Sequence, residues 1–285
     1  MLPFRKIIFP VDYSDACRSI VPFVRSAVEH FQAQLTLIHA YGPEGLSFID
    51  LPIASPDLPQ KVREFEQLRV RDFAQEVFPG IQVDTFAELG EAGGVIHNNL
   101  KHQGGDLIML PTHGRGPVRR LMLGSVTTKV LHDVDCAVWT ATATAIASHG
   151  AQYRTIVCAI DDSDEARSVL TAGAALAASY RAELAVVHVL GLPPMSMEVD
   201  YAAIRNDLLE GARQKLRETL AAMNISAAHH AVIEGNITSG LHDWVAEHKG
   251  DLLITGRGHA QGGLGRVWSN LYSIVRESPC PVISI

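Results

Sequence analysis

The chain has 285 residues, of which 47% are hydrophobic and 19% charged, and its formal net charge is −7. These values indicate a globular protein of one large or two ordinary domains, and argue against a nucleic-acid or membrane-surface partner. No apolar run reaches the roughly 18 residues that span a bilayer. The four cysteines show no C-x-x-C spacing, so we expect reduced, buried thiols, a cytoplasmic protein and no redox cofactor.

The first half of the chain alternates predicted strands and helices. Apolar runs predict strands at 7–11, 35–40, 81–87, 107–110 and 137–140, and helical spacing predicts helices at 61–78, 93–103 and 126–132. A further helix follows the first strand, where Ser14 or Asp15 caps it and Pro22 kinks it. Residues 41–59 are rich in proline and glycine and are expected to form a loop.

The second half repeats the first. KIIFPVDYSDA recurs as TIVCAIDDSDEA, which places Asp161 149 residues after Asp12, and LTLIHAYG recurs as LAVVHVLG at the same offset. DLIML recurs as DLLIT after 145 residues, and KVLHDVDCAVWT recurs as SIVRESPCPVIS after 144. Because the order of the blocks is preserved, we predict two copies of one domain, 1–142 and 153–285, joined by a linker at 143–152.

Strands that alternate with helices predict an α/β fold. Each copy is expected to form an open, Rossmann-like parallel sheet of five strands with right-handed crossovers, and the longest helix of the second copy is expected near 201–223. Ligands of such sheets bind beyond the carboxyl ends of the strands, where the strand order reverses. Asp12, Ala40 and the loop after residue 110 lie at such ends, which favours a ligand site there.

The segment 106–127, DLIMLPTHGRGPVRRLMLGSVT, combines a buried strand, a basic glycine-rich turn and the start of a helix. Glycine lets the backbone approach a ligand, and a helix start offers free N–H groups to a phosphate. The alternative is that any strand-to-helix loop needs glycine and a serine cap. Arg119 and Arg120 are either further cations within reach of a phosphate or part of a solvated basic face.

Signatures of other nucleotide sites and of several enzyme classes are missing. The sequence holds no GxxxxGK[ST], no GxGxxG after the first strand, no GxSxG and no HExxH. His229 and His230 are adjacent, so a strand would turn them to opposite faces, away from a shared metal. We expect His39 and His188 to be core or site-edge residues, and Asp161-Asp162 to be one inward and one helix-leading carboxylate.

PVDYS after an apolar strand, a second strand with a histidine near its end and DLIMLPTHGRGPVRRLMLGSVTTKVL together resemble the universal stress protein family. The likeness covers both copies, so the chain resembles a tandem member with adenine-nucleotide-hydrolase-like domains. Members that bind ATP carry Gly, two residues, Gly, nine residues and then Gly-Ser or Gly-Thr. In the first copy Gly114 and Gly124-Ser125 fit this pattern, whereas Pro111 replaces the first glycine and removes one N–H donor.

The resemblance implies a site for ATP with Mg²⁺ in the first copy. Asp12 would meet the ribose or the nucleotide-bound metal, Val11 and Ala40 would hold adenine through backbone groups, and residues 113–115 would follow the phosphates. The implied nucleotide-binding residues are Pro10, Val11, Asp12, Ser14, Ala40, Pro111, His113, Gly114, Arg115, Gly124, Ser125, Val126 and Thr127.

The second copy departs further from the family pattern. Gly256 restores the first glycine, but His259 replaces the second, and Trp268-Ser269 replaces Gly-Ser after eight residues instead of nine. An indole would then stand where phosphate binds, so we predict a degenerate site. Its candidate residues are Ile160, Asp161, Val189, Gly256, Arg257 and Ser269.

The resemblance also implies that last strands pair. The strands from Ala137 to Thr140 and from Pro281 to Ile285 would pair within the chain with pseudo-twofold symmetry, and a further homodimer stays open. The leading hypothesis is a stress-response protein whose ATP occupancy in the first copy modulates association. The alternatives are a nucleotide-free interaction module, and a weak ATPase or a phosphotransfer enzyme with autophosphorylation at Ser125 or a nearby hydroxyl. At most slow hydrolysis is expected, because no base or arginine finger is positioned.

Overall fold

The structure, a computed structural model, describes residues 3–42, 58–113, 123–191, 201–257 and 266–285, without the side chains of 201–202 and 266–269. Within these ranges the chain divides between Ile146 and Ala147 into two compact units, here named domain 1 and domain 2. The division falls inside the segment expected to link the two copies. That segment contains a short helix, α6 (Ala143–Ser148).

Each domain alternates strands with helices, as the sequence pattern predicts. The elements of domain 1 before α6 are β1 (Lys6–Pro10), α1 (Asp15–Ser19), α2 (Val21–Phe31), β2 (Gln34–Tyr41), α3 (Leu58–Val77), β3 (Val83–Leu89), α4 (Ala92–Gln103), β4 (Leu107–Pro111), α5 (Ser125–Asp133) and β5 (Ala137–Ala141). The elements of domain 2 are β6 (Thr155–Ile160), α7 (Glu165–Tyr180), β7 (Glu183–Leu190), α8 (Tyr201–Ala222), β8 (His229–Glu234), α9 (Ile237–Glu247), β9 (Leu252–Thr255), α10 (Arg266–Glu277) and β10 (Val282–Ser284).

The predicted parallel sheet is confirmed in both domains. The strand order is β3-β2-β1-β4-β5 in domain 1 and β10-β9-β6-β7-β8 in domain 2, and the pairs within each domain are parallel. The order reverses between β1 and β4, and between β6 and β9. Two successive crossovers therefore leave in opposite directions at these points, which opens a crevice at the carboxyl ends of the strands.

The helical segment after β1 differs from its prediction. A single kinked helix was the wrong expectation, because two helices, α1 and α2, meet at Ile20. Pro22 lies in the first turn of α2, where a missing N–H leaves no helical hydrogen bond unmade. The predicted cap is confirmed for Ser14, whose Oγ accepts a hydrogen bond from the N–H of Cys17 at 3.2 Å.

Both ends of the segment predicted as a loop at 41–59 belong to regular elements. Tyr41 still belongs to β2, and α3 already begins at Leu58. Residues 43–57 lie outside the described part of the chain.

A carboxylate holds the amino ends of the central strands together in each domain. Asp106 Oδ2 accepts hydrogen bonds from the N–H groups of Arg5 at 2.8 Å and Lys6 at 2.9 Å. Asp251 Oδ2 repeats this with Arg154 at 2.7 Å and Thr155 at 3.0 Å. Asp106 and Asp251, which occupy matched positions in the two copies, therefore have a structural role. They lie at the end of each sheet opposite the crevice.

The cores follow the apolar runs. Cys17, Cys158 and Cys280 are buried as expected, whereas Cys136 is partly exposed, so the prediction of a buried thiol is wrong at that position. None of the helices in the described ranges is long and apolar enough to cross a bilayer.

Candidate functional site

A cleft of about 280 Å³ opens at the carboxyl ends of β1 and β4 in domain 1. Side chains from β2, α1, α4 and α5 complete its walls. The lining residues are Pro10, Val11, Asp12, Cys17, Ile38, Ala40, Ala92, Ile96, Leu110, Pro111, Gly124, Ser125, Val126 and Thr127.

Most of the residues implied by the family pattern lie around this cleft. Ser14 is not a lining residue and instead supports Asp12. His113 follows β4, where its Nδ1 lies 2.9 Å from Thr112 Oγ1. Gly114 and Arg115 lie outside the described residues, as do the cations at 119 and 120.

Sequence reasoning missed five lining residues, which are small or apolar and carry no polar signature: Cys17, Ile38, Ala92, Ile96 and Leu110. Ala92 and Ile96 are four residues apart in α4 and so share a face, but the predicted helix began at Gly93 and left Ala92 out. Burial raises the pKa of the Cys17 thiol to about 11. The thiol is therefore a neutral wall of the cleft at physiological pH.

The start of α5 is fixed against the end of β4 by two hydrogen bonds. The N–H of Gly124 donates to the carbonyl oxygen of Thr112 at 2.9 Å, and Thr127 Oγ1 donates to the carbonyl oxygen of Pro111 at 3.0 Å. A Cβ on Gly124 would lie 3.2 Å from that Thr112 oxygen, so glycine permits the close approach. Within the described residues no side chain caps α5, and the N–H groups of its first turn remain for water or a ligand.

Asp12 holds the turn between β1 and α1. Its Oδ1 accepts hydrogen bonds from the N–H of Ser14 at 3.0 Å and from Ser14 Oγ at 2.6 Å. Asp161 makes the same bonds with Ser163 in domain 2, where its Oδ1 lies 3.0 Å from the backbone nitrogen. The aspartate after the first strand thus has a structural role in both copies, whether or not a ligand is present.

Asp161 lines a cavity in domain 2, as expected for the inward carboxylate, whereas the expectation that Asp162 leads the helix is wrong, because Asp164 is the N-cap residue of α7. Asp161 and Asp162 are both exposed, and Asp162 forms an ion pair with Lys215 at 2.9 Å.

The backbone of Val11 is already engaged inside domain 1. Its N–H donates to the carbonyl oxygen of Ile38 at 2.8 Å, and its own carbonyl oxygen accepts from His39 Nδ1 at 2.8 Å. The Val11 N–H is therefore committed to the fold, and one lone pair of its carbonyl oxygen remains for another donor.

A buried charged cluster lies behind the cleft, on the opposite face of β2. His39 Nε2 and Arg69 Nη1 each lie 3.5 Å from Glu66 Oε2. The Arg69 guanidinium stands over the ring of Tyr13, 4.3 Å from its centroid, and Tyr13 adopts a φ of 64°. His39 and Glu66 are only 6% and 3% exposed, so the predicted core position of His39 is confirmed.

Domain 2 has a smaller cavity at the matched place, of about 110 Å³. The position of Ala40, seventh in β2, is taken by Val189, seventh in β7, and the position of Ala92, first in α4, is taken by Ile237, first in α9. Both larger residues line the cavity. Added side-chain volume therefore accounts for part of the lost space.

A carboxylate fills another part of the domain 2 cavity. Glu165 Oε2 lies 2.4 Å from the place that a Cβ on Gly256 would occupy, so this carboxylate covers the Gly256 backbone. Ala16 stands at the matched position of domain 1. A fixed negative charge beside the end of β9 disfavours a phosphate there.

The helix that follows β9 also begins earlier than its counterpart. α10 starts at Arg266, three residues before Ser269, which matches Ser125 at the start of α5. Asn270 and Leu271 are therefore the fifth and sixth residues of α10, and their N–H groups donate within the helix. The matched residues Val126 and Thr127 belong to the first turn of α5.

The second candidate set is divided between the cavity and other places. Ile160, Asp161, Val189, Gly256 and Arg257 line the cavity, whereas the side chain of Ser269 lies outside the described ones, as does Trp268. Arg257 is 2% exposed, and its Nη2 lies 3.4 Å from the carbonyl oxygen of Ser284.

Comparison with known proteins gives the family. The model of the universal stress protein family matches residues 3–141 and again residues 152–285. The chain belongs to the universal stress protein family. Because the family model matches twice, it is a tandem member with two universal stress protein domains.

Some relatives of this universal stress protein match one half of the chain, and some solved structures match nearly all of it. A universal stress protein of Thermus aquaticus, from the QAH/OAS sulfhydrylase 3′ region, is 27% identical over 135 residues, which are 47% of this chain and 96% of the relative. A solved universal stress protein of Archaeoglobus fulgidus covers 98% of this chain and 95% of its own at 18% identity and a TM-score of 0.68. A structure of a putative universal stress protein from Pseudomonas aeruginosa covers 99% and 93% at 15% identity and a TM-score of 0.70. The two structures support the α/β fold described for both domains.

Proposed function

We propose that domain 1 binds an adenine nucleotide, ATP with Mg²⁺, and that occupancy modulates association of this stress protein. The observation that carries the proposal is the first turn of α5, whose N–H groups lie at a cleft beyond the carboxyl ends of β1 and β4. A helix start of this kind attracts phosphate through its N–H donors and dipole. Small residues, Ala40 and Ala92, leave room for an uncharged ring beside it.

The metal ion in this proposal arrives with the nucleotide. The described residues include no group of three His, Cys, Asp or Glu side chains that could hold a metal by themselves. One oxygen of Asp12 already accepts two hydrogen bonds from Ser14. Asp12 therefore fits a supporting contact to Mg²⁺ bound by phosphate oxygens, which supply the hard ligands that this ion prefers.

Domain 2 is proposed to leave ATP unbound. Val189 and Ile237 reduce its cavity, Glu165 brings a negative charge to the end of β9, and the N–H groups of Asn270 and Leu271 are used within α10. Each difference removes one property on which the domain 1 proposal depends. The proposal on association includes an expectation from the sequence. The strand from Ala137 to Thr140 is expected to pair with the strand from Pro281 to Ile285 within one chain.

Calorimetry tests the proposal on protein stripped of nucleotide by unfolding and refolding. Titration with ATP and Mg²⁺ should show one site per chain, and Gly124→Asp should abolish it, because a carboxylate would stand at the start of α5. Gly150→Asp is the matched control, since Gly150 has open space around its Cβ position and lies away from the cleft. Absence of ATP binding, or equal binding by Gly124→Asp, would overturn the proposal.

A nucleotide-free interaction module is favoured by one observation, the proline at position 111. Pro111 supplies no N–H at the end of β4, where the family pattern has glycine. Mass spectrometry of the small molecules released from freshly purified protein on denaturation separates the two functions. Release of ATP or a related nucleotide in an amount close to one per chain supports the first function and contradicts the second.

A further inference from the structure

Part of the β3 edge of the domain 1 sheet is covered by the side chain of Gln67. Gln67 of α3 donates from Nε2 to the carbonyl oxygen of Thr85 at 2.9 Å and accepts at Oε1 from the N–H of Ala87 at 3.0 Å. A parallel neighbour strand would bond to these same two backbone groups. The amide of Gln67 therefore replaces a strand along part of β3, which protects the edge from pairing.

The outer edge of the domain 2 sheet, β8, lacks this protection. β8 pairs with β7 on one side, and the N–H of Gly235 points to β7, where it donates to Leu190. By the alternation of a parallel strand, His230, Val232 and Glu234 turn their backbone groups to the other side. His230 and Val232 follow Thr85 and Ala87 by 145 residues. Within the described ranges, no backbone or side-chain group bonds to the outward groups of these two residues.

A groove runs beside this open edge. It has a volume of about 240 Å³ and is lined by Arg213, Leu216 and Arg217 of α8 together with His230, Ala231 and Val232 of β8. Arg213 and Arg217 both pair with Glu210, at 3.6 and 2.8 Å. Glu210 balances only one of these two positive charges, so the groove keeps one positive charge beside His230.

We propose that two copies of this chain associate through β8, paired antiparallel about a twofold axis at Val232. In this register His230 of each copy lies opposite Glu234 of the other, Ala231 lies opposite Ile233, and Val232 meets itself. The backbone groups that face outward then meet in hydrogen-bonded pairs. A twofold axis makes the contact self-complementary and closed, so no open chain of molecules follows.

Charge complementarity favours a second copy of this chain as the molecule that pairs with the β8 edge. The twofold register places an imidazole, which can donate an N–H, beside a carboxylate on both sides of the axis. Glu234 is held at the edge by its ion pair with Arg205 at 2.5 Å, so its position is defined before association. His230 is exposed. This association uses no part of the cleft in domain 1 and stands independently of nucleotide binding.

Sedimentation equilibrium on the full-length chain, without nucleotide, tests the proposal. The wild-type chain should dimerise, and His230→Glu, which sets like charges opposite one another at both ends of the strand pair, should weaken the dimer about tenfold. The double variant His230→Glu, Glu234→Lys restores opposite charges and should recover most of the affinity. His230→Pro removes an outward N–H without touching a bond to β7 and should abolish the dimer.

Hydrogen exchange gives a second measurement on the unmodified chain. The amide protons of His230 and Val232 should gain protection as protein concentration rises, whereas the amide proton of Ala87, which is bonded to Gln67, should not change. A monomeric wild-type chain at every concentration, or a dimer that tolerates both His230→Glu and His230→Pro, would overturn the proposal. Failure of the charge-reversed double variant to recover the dimer would exclude the register.

Discussion

The Nδ1 atom of His39 lies 2.8 Å from the carbonyl oxygen of Val11, a wall residue of the domain 1 cleft. Because a carbonyl can only accept, Nδ1 must carry a proton in this contact. The other ring nitrogen faces Glu66 at 3.5 Å. His39 therefore ties a buried carboxylate on one face of β2 to the backbone at the ligand side of the sheet.

We predict that His39→Ala weakens ATP binding and lowers the free energy of unfolding. The substitution removes the donor to Val11 and leaves the buried Glu66 with Arg69 alone, and an unmet buried acceptor costs about 1–3 kcal/mol. Urea unfolding and calorimetry measure the two effects. His188→Ala is the matched control, because His188 holds the same strand position in domain 2 and is equally buried at 6%; it should lower stability and leave ATP affinity unchanged. Equal losses of ATP affinity in both variants would refute a specific role for His39.

Bringing the two bulky residues of domain 2 into domain 1 should close its cleft. Ala40→Val with Ala92→Ile reproduces Val189 and Ile237 at matched positions, so the fold tolerates them in one copy already. We predict at least a hundredfold loss of ATP affinity and a change in unfolding free energy of less than about 1.5 kcal/mol. Calorimetry and urea unfolding check both values. The single variant Ala143→Val, at the first residue of α6 and away from the cleft, controls for added β-branched bulk.

Two helical glycines should respond to alanine with opposite signs. Gly211 lies inside α8 with nothing within 4 Å of its Cβ position, so Gly211→Ala should stabilise the protein by about 0.5–1 kcal/mol through reduced backbone entropy of the unfolded chain. A Cβ on Gly173 in α7 would lie 2.0 Å from Cys158 Sγ. Gly173→Ala should therefore destabilise by about 1–3 kcal/mol through overpacking. Thermal unfolding of both variants checks the signs, and stabilisation by Gly173→Ala would contradict the packing described for α7.

We predict that the protein loses stability at alkaline pH because three of its thiols are buried. Burial raises the pKa of Cys17 from 9.0 to about 11, and that of Cys158 and Cys280 to about 12. Above pH 9 the unfolded chain loses these protons while the folded chain keeps them, so the free energy of unfolding falls by about 1.4 kcal/mol per pH unit for each thiol. The stability they contribute is fully present below pH 9 and is lost as pH rises toward 11 or 12.

Urea unfolding between pH 8 and 10.5 measures this slope. Cys17→Ala removes one of the three thiols, so its slope should be less steep than that of the wild type by about 1.4 kcal/mol per pH unit. An identical slope in the wild type and Cys17→Ala would show that the Cys17 thiol does not titrate differently on folding.

The repeat made the fold predictable from the sequence. Apolar runs and helical spacing located the elements, and the matched blocks required two sheets of the same kind. The break at Ile20 was missed because Pro22 is equally compatible with a kink and with the first turn of a new helix. The early start of α10 was missed because the Gly-Ser of domain 1 suggested the same helix start in domain 2.

The site was harder to predict where chemistry carries no sequence signal. Cys17, Ala92 and Ile96 contribute walls to the cleft by shape alone, and Ala and Ile look the same in sequence whether they fill a core or line a cavity. The role of Gln67 was hidden for another reason. A glutamine on a helix is ordinary, and only its distance to Thr85 and Ala87 shows that it closes a sheet edge.

Strand alignment and ligand binding depend on opposite ends of each sheet, and Asp106 and Asp251 serve the first. They fix the amino ends of the central strands identically in the two domains, while the residues at the carboxyl ends differ in size and charge. We therefore expect that loops at the carboxyl ends can be exchanged between the copies while the contacts that align the strands are kept, because those contacts lie at the opposite end of each sheet. The chain offers two interchangeable scaffolds in one molecule, of which one can be altered while the other serves as its internal reference.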